Sequence, residues 1–269
     1  MTIVQPAYEA AKPFQDRPMG STRLPTHRSA IEIVLDLSRL LSRVLHPSPT
    51  GVDRVELAYA RTLERLVPNQ LRYAALHPSG VYGRLNGPSV ERFLDQTERR
   101  WESVGHWETT ATSRRFGLEQ CWALRPGTVA RTTGPRVLLQ VSPHHLDRPS
   151  TVARKLQRER ARFVCLVHDV IPITHPEYAR PNGHGRHTRR LQTIDAFADG
   201  ILANSQATLD SLIHGAGVGF RHRPSRIAHL GVEVSRPVRT PEGNRALLRG
   251  DEGETAASIK MRLRLGLSA

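Results

Sequence analysis

The stretch Arg162 to Pro176, RFVCLVHDVIPITHP, sets a histidine and an aspartate, His168 and Asp169, directly behind the apolar run Phe163 to Val167. A neutral imidazole can donate or accept a hydrogen bond, and a carboxylate can accept one from that imidazole, from a substrate hydroxyl or from its own loop. Such an apolar run is the pattern of a strand covered on both faces in a parallel sheet, and ligands of open α/β sheets gather outside the carboxyl ends of those strands. His168 and Asp169 therefore stand where chemistry is expected. Further candidates hold comparable positions: His144, with His145, behind the run Arg136 to Val141; Asn204 and Ser205 behind Gly200 to Ala203; His229 and Glu233 near the end of the last strand run, Arg226 to Leu230. His175 lies in a long loop, Asp169 to about Gly185, that Pro172 and Pro176 are expected to keep from continuing as a helix.

The elements that must hold these groups alternate along the chain. Ile31 to Leu37 reads as a first strand ending near Ser38, and a loop rich in Pro and Ser, His46 to Thr50, leads to Gly51. Val52, Val55, Tyr59, Leu63 and Leu66 then recur at helical spacing until Pro68 and Asn69 stop them, and Leu71 to Leu76 supplies a second strand. Residues 77–135 carry no legible pattern beyond a helix over Val90 to Trp101, and irregular insertions are expected there. The helix Thr151 to Arg160 precedes the strand of His168; Leu191, Ile194 and Ala198 mark another helix face; Ser205 is a candidate N-cap for a helix Gln206 to His214, with Gly215 as its stop. This alternation predicts an α/β fold with a Rossmann-like, doubly wound parallel sheet. It occupies residues 30–236, between an N-terminal extension over 1–29, expected to be mobile, and a linker or truncated tail over 237–269.

Composition narrows the partners. A formal charge of +14 ordinarily points to nucleic acid, but the 39 basic residues are 36 Arg and only three Lys (Lys12, Lys155, Lys260), spread along the chain, a skew that a GC-rich genome produces without selection for binding. No nucleic-acid partner is expected. Cys121 and Cys165 are too few for a disulfide framework and fit a reducing, cytoplasmic setting. The N-terminus lacks the pattern of a secretory signal, and no apolar run approaches the roughly 18 residues of a membrane span. The basic stretch Val152 to Arg162 leaves a route to peripheral contact with the anionic inner face of a membrane.

Four segments in order, TGVDRVELAYARTL, VHDVIPITHPEYARP, ILANSQATLDSL and RIAHLGVEV, resemble the N-terminal lobe of retaining GT-B glycosyltransferases of family 4, over roughly residues 31–236. The resemblance implies one lobe of a two-lobed, metal-independent transferase without a cofactor, which takes a nucleotide sugar as donor and serves a glycan or lipid-linked acceptor in envelope polysaccharide or glycolipid assembly. The acceptor would be bound mainly by this lobe. Gly51 matches the glycine whose backbone approaches the donor phosphates, a role that the free N–H groups of the following helix support. His168 matches the histidine that faces the donor sugar near its reacting carbon, with Asp169 beside it, and Asn204 and Ser205 match the dipeptide at the next strand end, on the donor side. His144, His175 and Glu233 are assigned to the acceptor side or the cleft.

Two departures qualify the match. Thr50 stands where the family often has a second glycine, and Asp53 and Glu56 in the first helical turn stabilise the helix end but oppose an anion there. The family's C-terminal lobe, with its basic residue and two glutamates eight positions apart, is expected from about residue 245, and nothing resembling it follows; Glu56 and Glu64 have that separation but read as a solvated helix face. The expectation is a lobe inactive alone, either the product of a truncated or frameshifted gene or one paired with a separate C-terminal-lobe chain. Two other classes stand beside it: a non-catalytic partner or acceptor-binding domain, and a metal-dependent hydrolase built on His168, Asp169, His175, His184 and His187, which match no known ligand spacing.

Overall fold

The computed structural model describes residues 31–102, 110–129, 134–215 and 218–231. The short apolar runs become strands β1 (Glu32–Asp36), β2 (Leu71–Leu76), β3 (Tyr82–Leu85), β4 (Arg136–Gln140), β5 (Arg162–Val167), β6 (Gly200–Ala203) and β7 (Ser225–Ile227). They form one sheet in the order β3-β2-β1-β4-β5-β6-β7, parallel except for the β2–β3 hairpin at one edge. The extension over 1–29 and the tail over 237–269 lie outside the described residues.

The helices are α1 (Ser38–Ser42), α2 (Gly51–Leu66), α3 (Gly87–Glu102), α4 (Thr110–Ala123), α5 (Pro149–Glu159), α6 (Ile171–Thr174), α7 (Gly183–Phe197) and α8 (Gln206–Gly215). Leu40, Leu57, Leu63, Phe93 and Leu124, from α1 to α3 and just beyond α4, pack on one face of the sheet with Leu35, Tyr73 and Leu139. Val152, Leu191, Ile194 and Leu212 from α5, α7 and α8 cover the other face with Val34, Leu138, Phe163 and Cys165. The sheet is thus buried on both sides, which is why its parallel strands read as continuous apolar runs. The expected Rossmann-like, doubly wound architecture is present, with its switch point between β1 and β4.

Three expectations need correction. Besides the expected helix, which is α3, residues 77–135 hold two more regular elements, β3 and α4, where irregular insertions were expected. β3 was hidden because it is a four-residue edge strand with Gly83 inside it, where a Cβ would lie 2.3 Å from the Gly127 carbonyl oxygen. The loop after Asp169 is interrupted by α6, a single turn that begins despite Pro172, since a proline in the first helical turn withholds an N–H that has no intrahelical partner there. The basic stretch Val152 to Arg162 is not one exposed helix. Arg162 belongs to β5 and Lys155 is buried, leaving Arg154, Arg158, Arg160 and Arg162 exposed. Among the described residues no helix is long and apolar enough to cross a membrane.

The amino ends of the strands are closed by ion pairs. Arg84 reaches Glu159 at 2.6 Å and Glu32 at 2.7 Å, and Arg136 also reaches Glu32 at 2.7 Å. Polar groups at that end are consumed by ion pairs, whereas the candidate residues His144, His168, Asn204 and Ser205 follow the opposite, carboxyl ends of β4, β5 and β6.

Candidate active-site crevice at the switch point

β1 ends in Asp36, whose Oδ1 accepts from the Ser38 amide at 2.8 Å and whose Oδ2 meets Lys155 Nζ at 2.6 Å. Both partners of this ion pair are 1% exposed. Burial pushes the Asp36 carboxyl up, but the Lys155 ammonium and the Ser38 hydrogen bonds outweigh it and hold the group below its ordinary range. Ser38 Oγ accepts from the Leu76 amide at 2.8 Å, tying the end of β1 to β2. α1 starts from this anchored turn and presents Arg39 to the start of α2.

Thr50 is the N-cap of α2 and forms a capping box with Asp53: the Asp53 amide reaches Thr50 Oγ1 at 3.4 Å, and the Thr50 amide donates to Asp53 Oδ2 at 2.7 Å. Thr50, the residue before Gly51, therefore has a structural task. Arg39 donates from Nε to Asp53 Oδ1 at 2.6 Å and from Nη2 to Thr50 Oγ1 at 2.9 Å. Asp53 is thereby neutralised, removing most of its opposition to an anion at this helix end. Gly51 opens α2 without a positive φ, and a Cβ there would meet nothing within 4 Å. The space before the helix is open, as a close-approach role requires, although the backbone itself does not demand glycine.

Glu56 corrects the sequence reading most sharply. It is fully buried rather than part of a solvated face, and its Oε1 accepts from the Leu40 amide at 3.0 Å. Burial pushes its carboxyl up to about 8, against the pull of the Leu40 amide and Ser142, with the nearby Asp36 charge adding to the rise. Glu56 is consequently a protonated acid at neutral pH. Glu64, eight residues on, lies half-buried and accepts from the Tyr73 hydroxyl at 2.7 Å.

After β4 the chain turns through Ser142 to His145, held by the Gln140 side-chain amide, which donates to the carbonyls of Ser142 at 3.0 Å and His144 at 2.7 Å. His145 takes a left-handed conformation, φ 62°, and the two imidazoles lie 3.8 Å apart between centroids. Burial lowers both to about 4; the neighbouring His145 adds to this at His144, and Lys155 adds to it at His145. Both rings are neutral near pH 7.

His168 leaves the end of β5 and bonds through Nε2 to the Val141 carbonyl at 2.7 Å. Donation from Nε2 fixes the neutral tautomer with a bare Nδ1, which has no hydrogen-bond partner among the described residues. Burial lowers the His168 pKa more than the Val141 carbonyl and Asp169 raise it, so the ring is a hydrogen-bond acceptor at neutral pH. Asp169 takes the role of tying down its own loop: Oδ1 accepts from the Ile171 amide at 3.2 Å, and its carbonyl accepts from His187 Nε2 at 3.1 Å. Asn204 and Ser205 likewise have structural partners. Ser205 Oγ accepts from the Thr208 amide at 3.1 Å, capping α8 as expected, and Thr208 Oγ1 lies 2.8 Å from Asn204 Oδ1 and 3.3 Å from the His168 carbonyl. This network fixes the backbone of His168.

The His168 ring meets the Val141 carbonyl just ahead of His144, and Arg39 bonds the start of α2 while its charge bears on His144, His168, Glu56 and Arg190 of α7. His175 is exposed, near Thr174 and the Tyr178 ring, and has no hydrogen bond to that group. Glu233 lies outside the described residues. Among the described residues no three or more His, Cys, Asp or Glu side chains converge as a metal site, so His168, Asp169, His175, His184 and His187 do not form one cluster. Arg39, Glu56, Lys155 and Arg190 went unrecognised in the sequence. A signal existed for two of them: Asp53 and Glu56 continue the buried stripe of Ala60 and Leu63 at helical spacing, and Lys155 shares a helix stripe with Val152 and Glu159. No family model and no characterised protein sequence matches this chain.

Proposed function

We propose that this chain is the acceptor-side lobe of a retaining GT-B glycosyltransferase, working in the cytoplasm or at the inner membrane face on a nucleotide-sugar donor and a glycan or lipid-linked acceptor. The observation that carries the reading is the setting of His168. It stands at a strand end beside the switch point, neutral, with Nε2 committed to Val141 and Nδ1 left to accept a hydrogen bond. A ring so held can orient a sugar hydroxyl next to the reacting carbon, and the open start of α2 at Gly51 can receive phosphate oxygens through backbone amides. A cleft of this kind needs a second wall, so donor binding by one lobe alone is expected to be weak and sugar transfer absent.

Ligand-observed NMR on the intact chain with a panel of nucleotide sugars detects binding of that strength. Saturation transfer to at least one donor is expected, and it should be lost in His168→Ala while the circular dichroism stays native. Silence across the panel, or signals that survive His168→Ala, would remove the reading. Repeated turnover by this chain with lysate acceptors would show that both walls of the site lie within it.

A further inference from the structure

α4 carries apolar side chains on both of its sides. Gly117, Gln120 and, just past the helix end, Leu124 are buried at helical spacing, and Gln120 Nε2 donates to the Gln96 side chain of α3 at 2.7 Å. Arg115, Leu118, Trp122 and Arg125 recur three or four residues apart on the opposite side. There Leu118 is 74% exposed and Trp122 68%. Leu45, in the turn after α1, is 54% exposed and reaches Gly117 so closely that a Cβ there would lie 2.4 Å from Leu45 Cδ2, which extends the apolar surface beyond the helix. Single exposed apolar residues are ordinary, but a contiguous group of them rimmed by polar residues marks a contact surface. His77, which follows β2, donates from Nε2 to the Cys121 carbonyl at 3.0 Å and fixes α4 from the side of the sheet.

The rim of this surface is basic. Arg114 and Arg115 are exposed on α4, and the Arg125 guanidinium lies 3.2 Å from the centre of the Trp122 ring. Glu119 pairs with Arg115 at 2.8 Å, so three arginines stand against one carboxylate. Two copies of the face would bring like charges together, which opposes self-association. An anionic lipid surface meets both the charge and the apolar side chains. A tryptophan with an arginine stacked on it has an apolar body and a charged tip, the build that suits the boundary between lipid headgroups and acyl chains.

We propose that this face of α4 docks on an anionic phospholipid bilayer, with Leu118 and Trp122 entering the headgroup layer and Arg114, Arg115 and Arg125 meeting lipid phosphates. The surface is distinct from the basic stretch of α5, a helix that covers the other face of the sheet. The inference goes beyond the transferase reading and does not rest on it.

Flotation of the intact chain with vesicles of phosphatidylcholine alone, and of phosphatidylcholine mixed with phosphatidylglycerol, tests it at low and high salt. Binding to the mixed vesicles is expected, falling with salt and about tenfold or more weaker on phosphatidylcholine alone. Leu118→Ser combined with Trp122→Ser should weaken it about tenfold or more, because two large apolar side chains no longer leave water, while the circular dichroism stays native. Arg125→Gln should weaken it about fivefold, and Arg154→Gln, the same change of charge on α5, should leave it unchanged. Absence of binding to the mixed vesicles, or binding equally strong in the double variant, overturns the proposal. So does a concentration-dependent dimer that the double variant dissociates, which would assign the face to a second copy of the chain. Vesicle binding together with silence toward every nucleotide sugar would leave the membrane face standing and remove the transferase reading alone.

Discussion

Glu56→Gln isolates the one buried acid of the crevice that is protonated at neutral pH. A carboxyl that ionises near pH 8 in the fold and near 4.5 as an ordinary glutamate has its charged form disfavoured by roughly 3 to 5 kcal/mol. The folded state holds the proton more tightly than the unfolded chain. Glu56 therefore costs nothing below about pH 4.5, erodes stability as the pH rises above it, and does so in full once the pH passes about 8. Glutamine keeps the shape and the acceptor for the Leu40 amide but cannot ionise. Urea unfolding of both proteins between pH 5 and pH 9 gives the difference curve, in which the lowered histidines His144, His145, His168 and His187 cancel because they are common to both. The variant should match the wild type within about 1 kcal/mol at pH 5, as expected for swapping one buried hydrogen-bonding group for another. It should exceed it by about 2 to 4 kcal/mol at pH 9, the range left after relaxation around the charge. Parallel curves would refute the argument, since a pH-independent difference means that Glu56 ionises alike in the folded and unfolded chains.

Two further perturbations test how the crevice is held. Lys155→Met leaves Asp36 buried and unpaired and should destabilise the fold by about 3 to 5 kcal/mol in denaturant titrations, with Asp36→Asn in the same chain restoring a large part; an equally unstable double variant would mean that packing, not the pair, is at stake. Ser205→Ala removes the α8 cap and should cost about 1 kcal/mol in stability, and faster amide exchange confined to the first turn of α8 would tie that loss to the cap rather than to the crevice.

Much of the fold was legible because its parallel strands are covered on both faces and the helices between them carry one apolar stripe. Leu71–Leu76 and Gly200–Ala203 fall where the apolar runs put them, and α2 begins one residue before the expected start. What escaped was structure whose signal is not apolar periodicity. β3 pairs antiparallel at an edge and contains a glycine, α1 is only five residues long, and α6 has a proline in its single turn. At those lengths local propensity decides little and tertiary packing decides the outcome.

The site was legible in place but not in composition. A strand that ends in His168 or in Asn204 advertises its carboxyl end, because the switch from apolar to polar residues is visible in a single run. Glu56 and Lys155 give no such warning. Each sits inside a helix at a spacing that a solvated face would also produce, and burial of a charged type is the exception that only a partner explains. For Lys155 the partner is Asp36, 119 positions away in sequence; for Glu56 it is a proton, which no sequence displays.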